Sequence, residues 1–534
     1  MTPRAGLSRR GFLGLLGTAA AAGLGATAGC GISGISGISG ISGIGLPRGQ
    51  TGEVLRSAAP LPAPYTVALP IPPVARPVRR TGGVTTYEIT QRVAEQEILP
   101  GIRTPVWGYD GMFPGPTIET RRGEPVLVRH RNELPVPTVV HLHGGHTPAA
   151  DDGWPLDLVT PAGAPHGWLR HGMTGELADT VRGYRYPSDQ RAATLWYHDH
   201  RMDFTAPAVY RGLLGLHLVR DEVEDALPLP HDEREIPLLL TDRSFAADGS
   251  FAYPSLDRSL RELPGVEADW VEGVLGDVVL VNGAPWPVHE TDAARHRLRI
   301  VNAANARRFR LVFRTASGVA LPIVQIGSDA GLLAAPVSHT ALDIAPGERF
   351  DVVVDLALAG VGTDVTVENE LGAGTTRDVA RLRVVRAARD DSHVPDRLDS
   401  SDGAVVLVAP DAVTREFVFG RGPAGGHRDW TINGATFDPT LPLAEVALGV
   451  TERWRFRTDV HHPVHLHLDP FQVLARGAKA PAASDSGWKD TVDVRPGEVV
   501  DVAVRFHDHP GRYVLHCHNL EHEDMAMMAT LAIG

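Results

Sequence analysis

Hydrophobic residues along this chain fall in short runs, several of them alternating with polar ones. From Pro346 to Asp355, and again from Pro496 to Phe506, a Pro-Gly-Glu turn opens onto such a run. A period of two sends successive side chains to opposite faces of a strand. Val126-Leu127-Val128 and Val500 to Val504, bounded by Gly and Pro turns, read the same way. The expected fold class is therefore all-β. The pattern also repeats. Val281-Asn282-Gly283 and Ile432-Asn433-Gly434 precede the two Pro-Gly-Glu turns at nearly equal separations. A second correspondence joins the first and last thirds of the chain. His141-Leu142-His143 matches His465-Leu466-His467, and Trp196-Tyr197-His198-Asp199-His200 matches Val514-Leu515-His516-Cys517-His518. Together these relations predict three related β-sandwiches, at 60–225, 226–395 and 396–534.

The N-terminus follows another pattern. An apolar Gly/Ala/Leu stretch from Gly11 to Ala28 follows Ser8-Arg9-Arg10, and Ser8 to Leu13 resembles the twin-arginine export signal. Its richness in Gly and Ala, ending in small residues, argues against a membrane-spanning anchor, so residues 1–29 read as a signal segment. Thr27-Ala28-Gly29-Cys30 resembles a lipobox with Thr27 in place of the usual Leu, while Ala26-Thr27-Ala28 fits ordinary cleavage after Ala28. Cys30 and Cys517 are the only cysteines. An idle exposed thiol is a liability outside the cell, which favours a lipid anchor at Cys30. Four Ile-Ser-Gly repeats from Ile32 to Gly43 mark a flexible linker, placed at 30–59, with a Pro-rich lead-in from Pro60 to Pro77. The expected localisation is extracellular or at the cell envelope.

At 534 residues the chain is long enough for three domains, and 43% hydrophobic against 22% charged residues gives each a full core. Acidic residues outnumber basic ones by 64 to 51, a formal charge of −13; losing residues 1–29 removes three arginines and no acid, leaving −16. Such a balance favours neither nucleic acid nor an anionic membrane surface as partner.

Chemistry concentrates in residues 516–527, HCHNLEHEDMAM. On a strand, Cys517 points to one face and His516 and His518 to the other, so one strand can serve two metal sites. Imidazole, thiolate and thioether from His522, Cys517 and Met527 are the ligand types of a His₂Cys copper site with a weak axial Met. Three more clusters supply His-x-His pairs: His141/His143, His198/His200 and His465/His467. With His516/His518 these make eight imidazoles, which suit three metals, two with three ligands and one with two. His462 is left over to complete the thiolate set. Its neighbour His461 is separated from that role only by the two-residue gap before His465, and His146 is not counted as a ligand. A dinuclear zinc hydrolase is disfavoured, because His198-Asp199-His200 continues as Arg201-Met202-Asp203 rather than with a further histidine.

These four motifs, in this order and spacing, resemble the multicopper oxidases over most of the chain. The wording of His141 to Pro155 is closest to the bacterial laccases of the spore-coat, bilirubin oxidase and phenoxazinone synthase group. The resemblance implies three cupredoxin-like Greek-key domains and four copper ions. It assigns His462, Cys517, His522 and Met527 to the type 1 site, and His141 and His465 to type 2. His143, His198 and His518 go to one type 3 copper, and His200, His467 and His516 to the other. Asp199 then stands where Cys517 stands, so the first domain keeps trinuclear ligands without a blue site. The trinuclear cluster is expected between the first and third domains, with no ligand from the middle one. Electrons are expected to pass through the backbone from Cys517 to His516 and His518. Asp152 and Glu523 are implied as proton donors, against the plainer role of carboxylates that orient ligand histidines.

The implied partners are dioxygen and small aromatic reductants, with phenols or aminophenols oxidised one electron at a time and dioxygen reduced to water. A cuprous-ion oxidase is the alternative, disfavoured by only seven Met, three of them in the copper motif. Intact ligands throughout argue against a non-enzymatic cell-envelope relative.

Overall fold

The computed structural model describes residues 49–163, 175–399, 406–422 and 430–534. The signal segment, Cys30 and the Ile-Ser-Gly repeats lie outside them. Six larger sheets come in three pairs that, with two two-stranded sheets, pack into one compact unit. Between residues 79 and 220, a five-stranded sheet built around Val84–Leu99 faces a four-stranded sheet ordered Ile118–Arg121, Leu214–Arg220, Ala193–Asp199, Val140–His143. A seven-stranded and a five-stranded sheet occupy residues 235–387, and two five-stranded sheets occupy 414–533.

The internal repeat is visible in the strand pairing. Each of the six sheets holds one parallel pair among antiparallel neighbours, as in Val84–Leu99 with Val126–Asn132, Glu235–Arg243 with Arg295–Asn302, and Thr414–Arg421 with Thr451–Thr458. The two Asn-Gly motifs are matching hairpin turns. Asn282 and Asn433 sit at φ 51° and 54°, a left-handed conformation that Asn tolerates. Each Asn accepts the N–H of one strand residue and donates to the carbonyl two residues before it: Leu239 and Pro237 for Asn282, Val418 and Glu416 for Asn433.

In the alternating strand Arg349–Asp355 six of seven residues are buried, Arg349 at 0% exposure. Both faces of that strand are covered, one by its own core and the other by the neighbouring sheet pairs. The linker placed at 30–59 is too long, because its described end is anchored. Glu53–Val54 pairs with Val274–Leu275, the side chain of Gln50 exchanges two hydrogen bonds with the backbone of Arg308, and Ser57 bonds Asp277. Residues 49–59 therefore belong with the middle sheet pair.

Candidate metal centre

Strand register brings the eight histidines together. In the first sheet pair His198 lies opposite His141 on adjacent antiparallel strands, and in the third His516 lies opposite His465. His200, His467 and His518 each immediately follow the last residue of their strands. The two half-sites meet face to face: the rings of His141 and His467 stack at 3.8 Å, and those of His143 and His465 at 3.7 Å. Ligand atoms of His143, His198 and His518 lie within 4.8 Å of one another, as do those of His200, His467 and His516, and those of His141, His143 and His465. All eight are buried.

Their nitrogens are sorted into two kinds. One side of most rings donates to protein oxygen: His141 Nδ1 to the Asp152 carbonyl (2.6 Å), His198 Nδ1 to the Asp199 carbonyl (2.8 Å), His465 Nδ1 to the Asp490 carbonyl (2.9 Å) and His467 Nδ1 to Asp152 Oδ2 (2.7 Å). The other side is left without a partner at His141 Nε2, His143 Nδ1, His198 Nε2 and His465 Nε2, and both nitrogens of His518 are unpartnered. Nε2 of His516 faces Nε2 of His200 and of His467 at 3.4 and 3.3 Å. Burial, the largest cause, holds His141, His143, His465, His467 and His518 below their ordinary pKa, and brings His198 to about 3 and His200 to about 4. Neutral, orphaned lone pairs converging in a dry space are what metal ligands require.

The thiolate set sits on the opposite face of the same strand. His462 Nδ1, His522 Nδ1 and Cys517 Sγ form a triangle with edges of 3.3, 3.6 and 3.1 Å. The far nitrogens are fixed, His462 Nε2 by Asp459 Oδ1 at 2.9 Å and His522 Nε2 by the Glu272 carbonyl at 3.1 Å. His461 turns away, with Nδ1 3.5 Å from Asp493 Oδ1. Met527 is fully buried in the same core as Cys517, and its carbonyl accepts the Cys517 N–H. Burial pushes the Cys517 thiol well above its ordinary value, so a bound cation is needed to stabilise the thiolate. These donors fit a His₂Cys copper site, and the eight imidazoles fit a cluster.

Asp152 and Glu523 both lie against ligand histidines. Asp152 reaches His141 through its carbonyl and His467 through its carboxyl, which burial pushes well up. Glu523 places its oxygens 3.5 Å from His200 Nδ1 and 3.2 Å from His516 Nδ1. Burial raises its pKa, but His200 and His516 more than offset this and bring it below the ordinary carboxylate value.

Four contributors escaped the sequence reading. Asp490 Oδ1 accepts from His143 Nε2 (3.0 Å), and the Thr491 hydroxyl lies 3.1 Å from the same nitrogen. Arg349, from the middle sheet pair, grips Asp490 with two bonds of 2.6 and 2.5 Å. Gly347, in the turn before it, lies so near that a Cβ there would sit 2.9 Å from His518 and 3.1 Å from His143. The Pro-Gly-Glu repeat was the available signal, but it marked a turn and not what the turn touches.

A multicopper oxidase family model matches residues 414–534, and another of the same description matches 92–169. A laccase of Bacillus subtilis is 35% identical over 525 residues, covering 88% of this chain and 98% of that protein. A bilirubin oxidase of Albifimbria verrucaria is 34% identical, covering 90% and 83%. The crystal structure of a multi-copper oxidase from Pediococcus acidilactici superposes with a TM-score of 0.77 at 30% identity, covering 90% of this chain and 93% of that one. The chain therefore belongs to the multicopper oxidases: it is an oxidoreductase built of cupredoxin-like β-sandwiches and carrying four copper ions.

Proposed function

We propose that this oxidase acts as a laccase on small phenols or aminophenols, with His462, Cys517, His522 and Met527 holding the type 1 copper and the eight paired histidines the other three. Copper supplies a one-electron acceptor at the first set and dioxygen reduction at the second. One observation carries the substrate reading. The Asp459 carboxylate is bonded to His462 Nε2 yet 45% exposed, so a phenol whose hydroxyl donates to Asp459 rests beside the imidazole edge. Oxidising four phenols to phenoxyl radicals releases four electrons and four protons, as many as one dioxygen needs to become two waters. Cys517 is joined by peptide bonds to His516 and His518, which gives the shortest covalent link between the two sets.

A cleft of about 450 Å³ has buried His141, His467 and Asp490 on its floor and exposed Asp189 and His507 at its rim; it offers dioxygen a way in. Asp152, protonated more readily than an ordinary carboxyl, borders that floor and holds a proton for delivery, while Glu523, ionised beside His200 and His516, is placed on the other side to accept a proton and pass it on. The names of the Bacillus and Albifimbria relatives support aromatic reductants. The five methionines among the described residues are buried or half-buried, so none of these five offers an exposed thioether to a cuprous ion. The Arg9-Arg10 signal and Cys30 support twin-arginine export with a lipid-anchored product. Oxygen uptake measured side by side with a dimethoxyphenol and with cuprous ion tests the substrate reading. Uptake with the phenol and no added copper is expected, and uptake only with cuprous ion would make the chain a metal oxidase.

A further inference from the structure

Beyond the copper ligands, a second set of imidazoles and carboxylates gathers at the rim of the same cleft. His146 follows the first ligand strand by three residues, while Asp508 and His509 lie in the loop before Gly511–Cys517. Asp508 Oδ1 sits 3.0 Å from His146 Nε2 and 3.6 Å from His509 Nε2, and Asp469 Oδ1 lies 3.8 Å from His146 Nε2. Both Nε2 atoms are shut off from solvent, and beyond these ion-pair contacts neither makes a hydrogen bond among the described residues. The other nitrogen of His146, Nδ1, is bound to Asp189 Oδ1 at 2.9 Å. A carboxylate behind one imidazole nitrogen, with the opposite lone pair turned to a common point, is the arrangement that orients metal-bound histidines.

The arrangement is also braced. The hydroxyl of buried Tyr513 lies 3.1 Å from the Thr147 carbonyl and 2.9 Å from the His509 carbonyl, tying together the two loops that carry the imidazoles. His509 is held there at φ 54°, a conformation that costs energy for a non-glycine residue. Folding energy is thus spent on keeping the two histidines at a ring separation of 4.9 Å.

We infer that His146, Asp508 and His509 form a fifth metal site, one for a divalent first-row cation such as zinc, at the mouth of the cleft that leads to His141 and His467. Two imidazoles and a carboxylate are a common zinc set, and Asp508, 54% exposed, leaves a side open to water. Calcium and magnesium prefer all-oxygen ligands and are excluded by the two nitrogens.

The test uses the full chain loaded with copper, equilibrated with zinc by dialysis and analysed for both metals. One zinc per chain in addition to the coppers is expected. His509→Ala and His146→Ala should weaken zinc binding at least tenfold, and Asp189→Asn, which acts through His146, by about tenfold. Copper content and blue absorption, unchanged in each variant, show that the fold and the copper sites persist. Where a histidine variant fails to fold, exposed Asp508→Asn gives the same answer. No zinc retained beyond the coppers, or equal retention by native protein, His509→Ala and Asp508→Asn, overturns the inference. Because copper and zinc are counted separately, this result stands apart from the four-copper reading.

Discussion

Replacing Arg349 by Met keeps much of the side-chain volume and removes the guanidinium. Arg349 makes five hydrogen bonds in a fully buried setting: two to Asp490, at 2.6 and 2.5 Å, and one each to the carbonyls of Thr194 (3.0 Å), Gly347 (3.1 Å) and Asp329 (2.9 Å). The variant leaves the Asp490 carboxylate buried without this partner, and breaking a buried ion pair from one side costs about 3–5 kcal/mol. Asp490 also holds His143 by its side chain and His465 by its carbonyl. Loss of such support behind metal-bound histidines lowers metal affinity about 10–100-fold. The assay is dialysis against graded chelator, with copper counted and the blue absorption followed. Arg349→Met should release copper from the histidine cluster at about 10–100-fold lower chelator concentration, while the blue band persists. Asp490→Asn should behave alike. The double variant should lose less than the sum of the two, because no unpaired charge remains. Unaltered copper retention in Arg349→Met, or loss of the blue band before the other coppers, would refute the reasoning.

Three further outcomes follow from the geometry. Gly347→Ala places a Cβ at φ +87° and 2.9 Å from His518, so it should lower copper occupancy of the cluster; a fully loaded variant would show that the turn yields easily. Glu523→Gln and Asp152→Asn should slow dioxygen reduction while sparing the blue band, and unchanged turnover at every pH would remove both acids from proton delivery. Glu235 is pulled down to about 2, since Arg299, Arg297 and Arg220 outweigh the upward push of burial. Its stabilising contribution is therefore complete above about pH 4.5 and is lost as pH falls toward 2. The gap in melting temperature between native protein and Glu235→Gln should narrow over that interval, and a constant gap would contradict the assignment.

The copper-binding strands were legible because a strand's period of two fixes which residues share a face, whatever lies around it. That rule alone put His516 and His518 opposite Cys517, as the structure has them. Separately, the two-residue gap before His465 favoured His462 over His461, and Nδ1 of His462 lies 3.3 Å from the sulfur. What escaped depends on packing between segments far apart in sequence. Arg349 and Asp490 are 141 positions apart, and nothing in either local pattern says that they meet. Arg349 looked like the polar member of an alternating strand, since periodicity cannot show that the outer face is covered by a neighbouring sheet. The anchoring of residues 49–59 was hidden for the same reason, since Gln50 and Glu53 find their partners 258 and about 220 residues on. His146 was not counted as a ligand, and its relation to His509 exists only once Tyr513 has joined the two loops.

The central claim is that one strand feeds two kinds of copper site, and Cys517→Ser tests it most directly. Copper should be counted per chain, with visible absorption and electron paramagnetic resonance recorded on native and substituted protein. The account predicts four coppers and an intense blue band in the native chain. In Cys517→Ser it predicts no blue band and no oxidation of organic reductants, with copper retained at the eight histidines, which the substitution does not touch. A Cys517→Ser protein that stays blue and active, or one that loses the histidine-bound copper while the blue site survives, would contradict it.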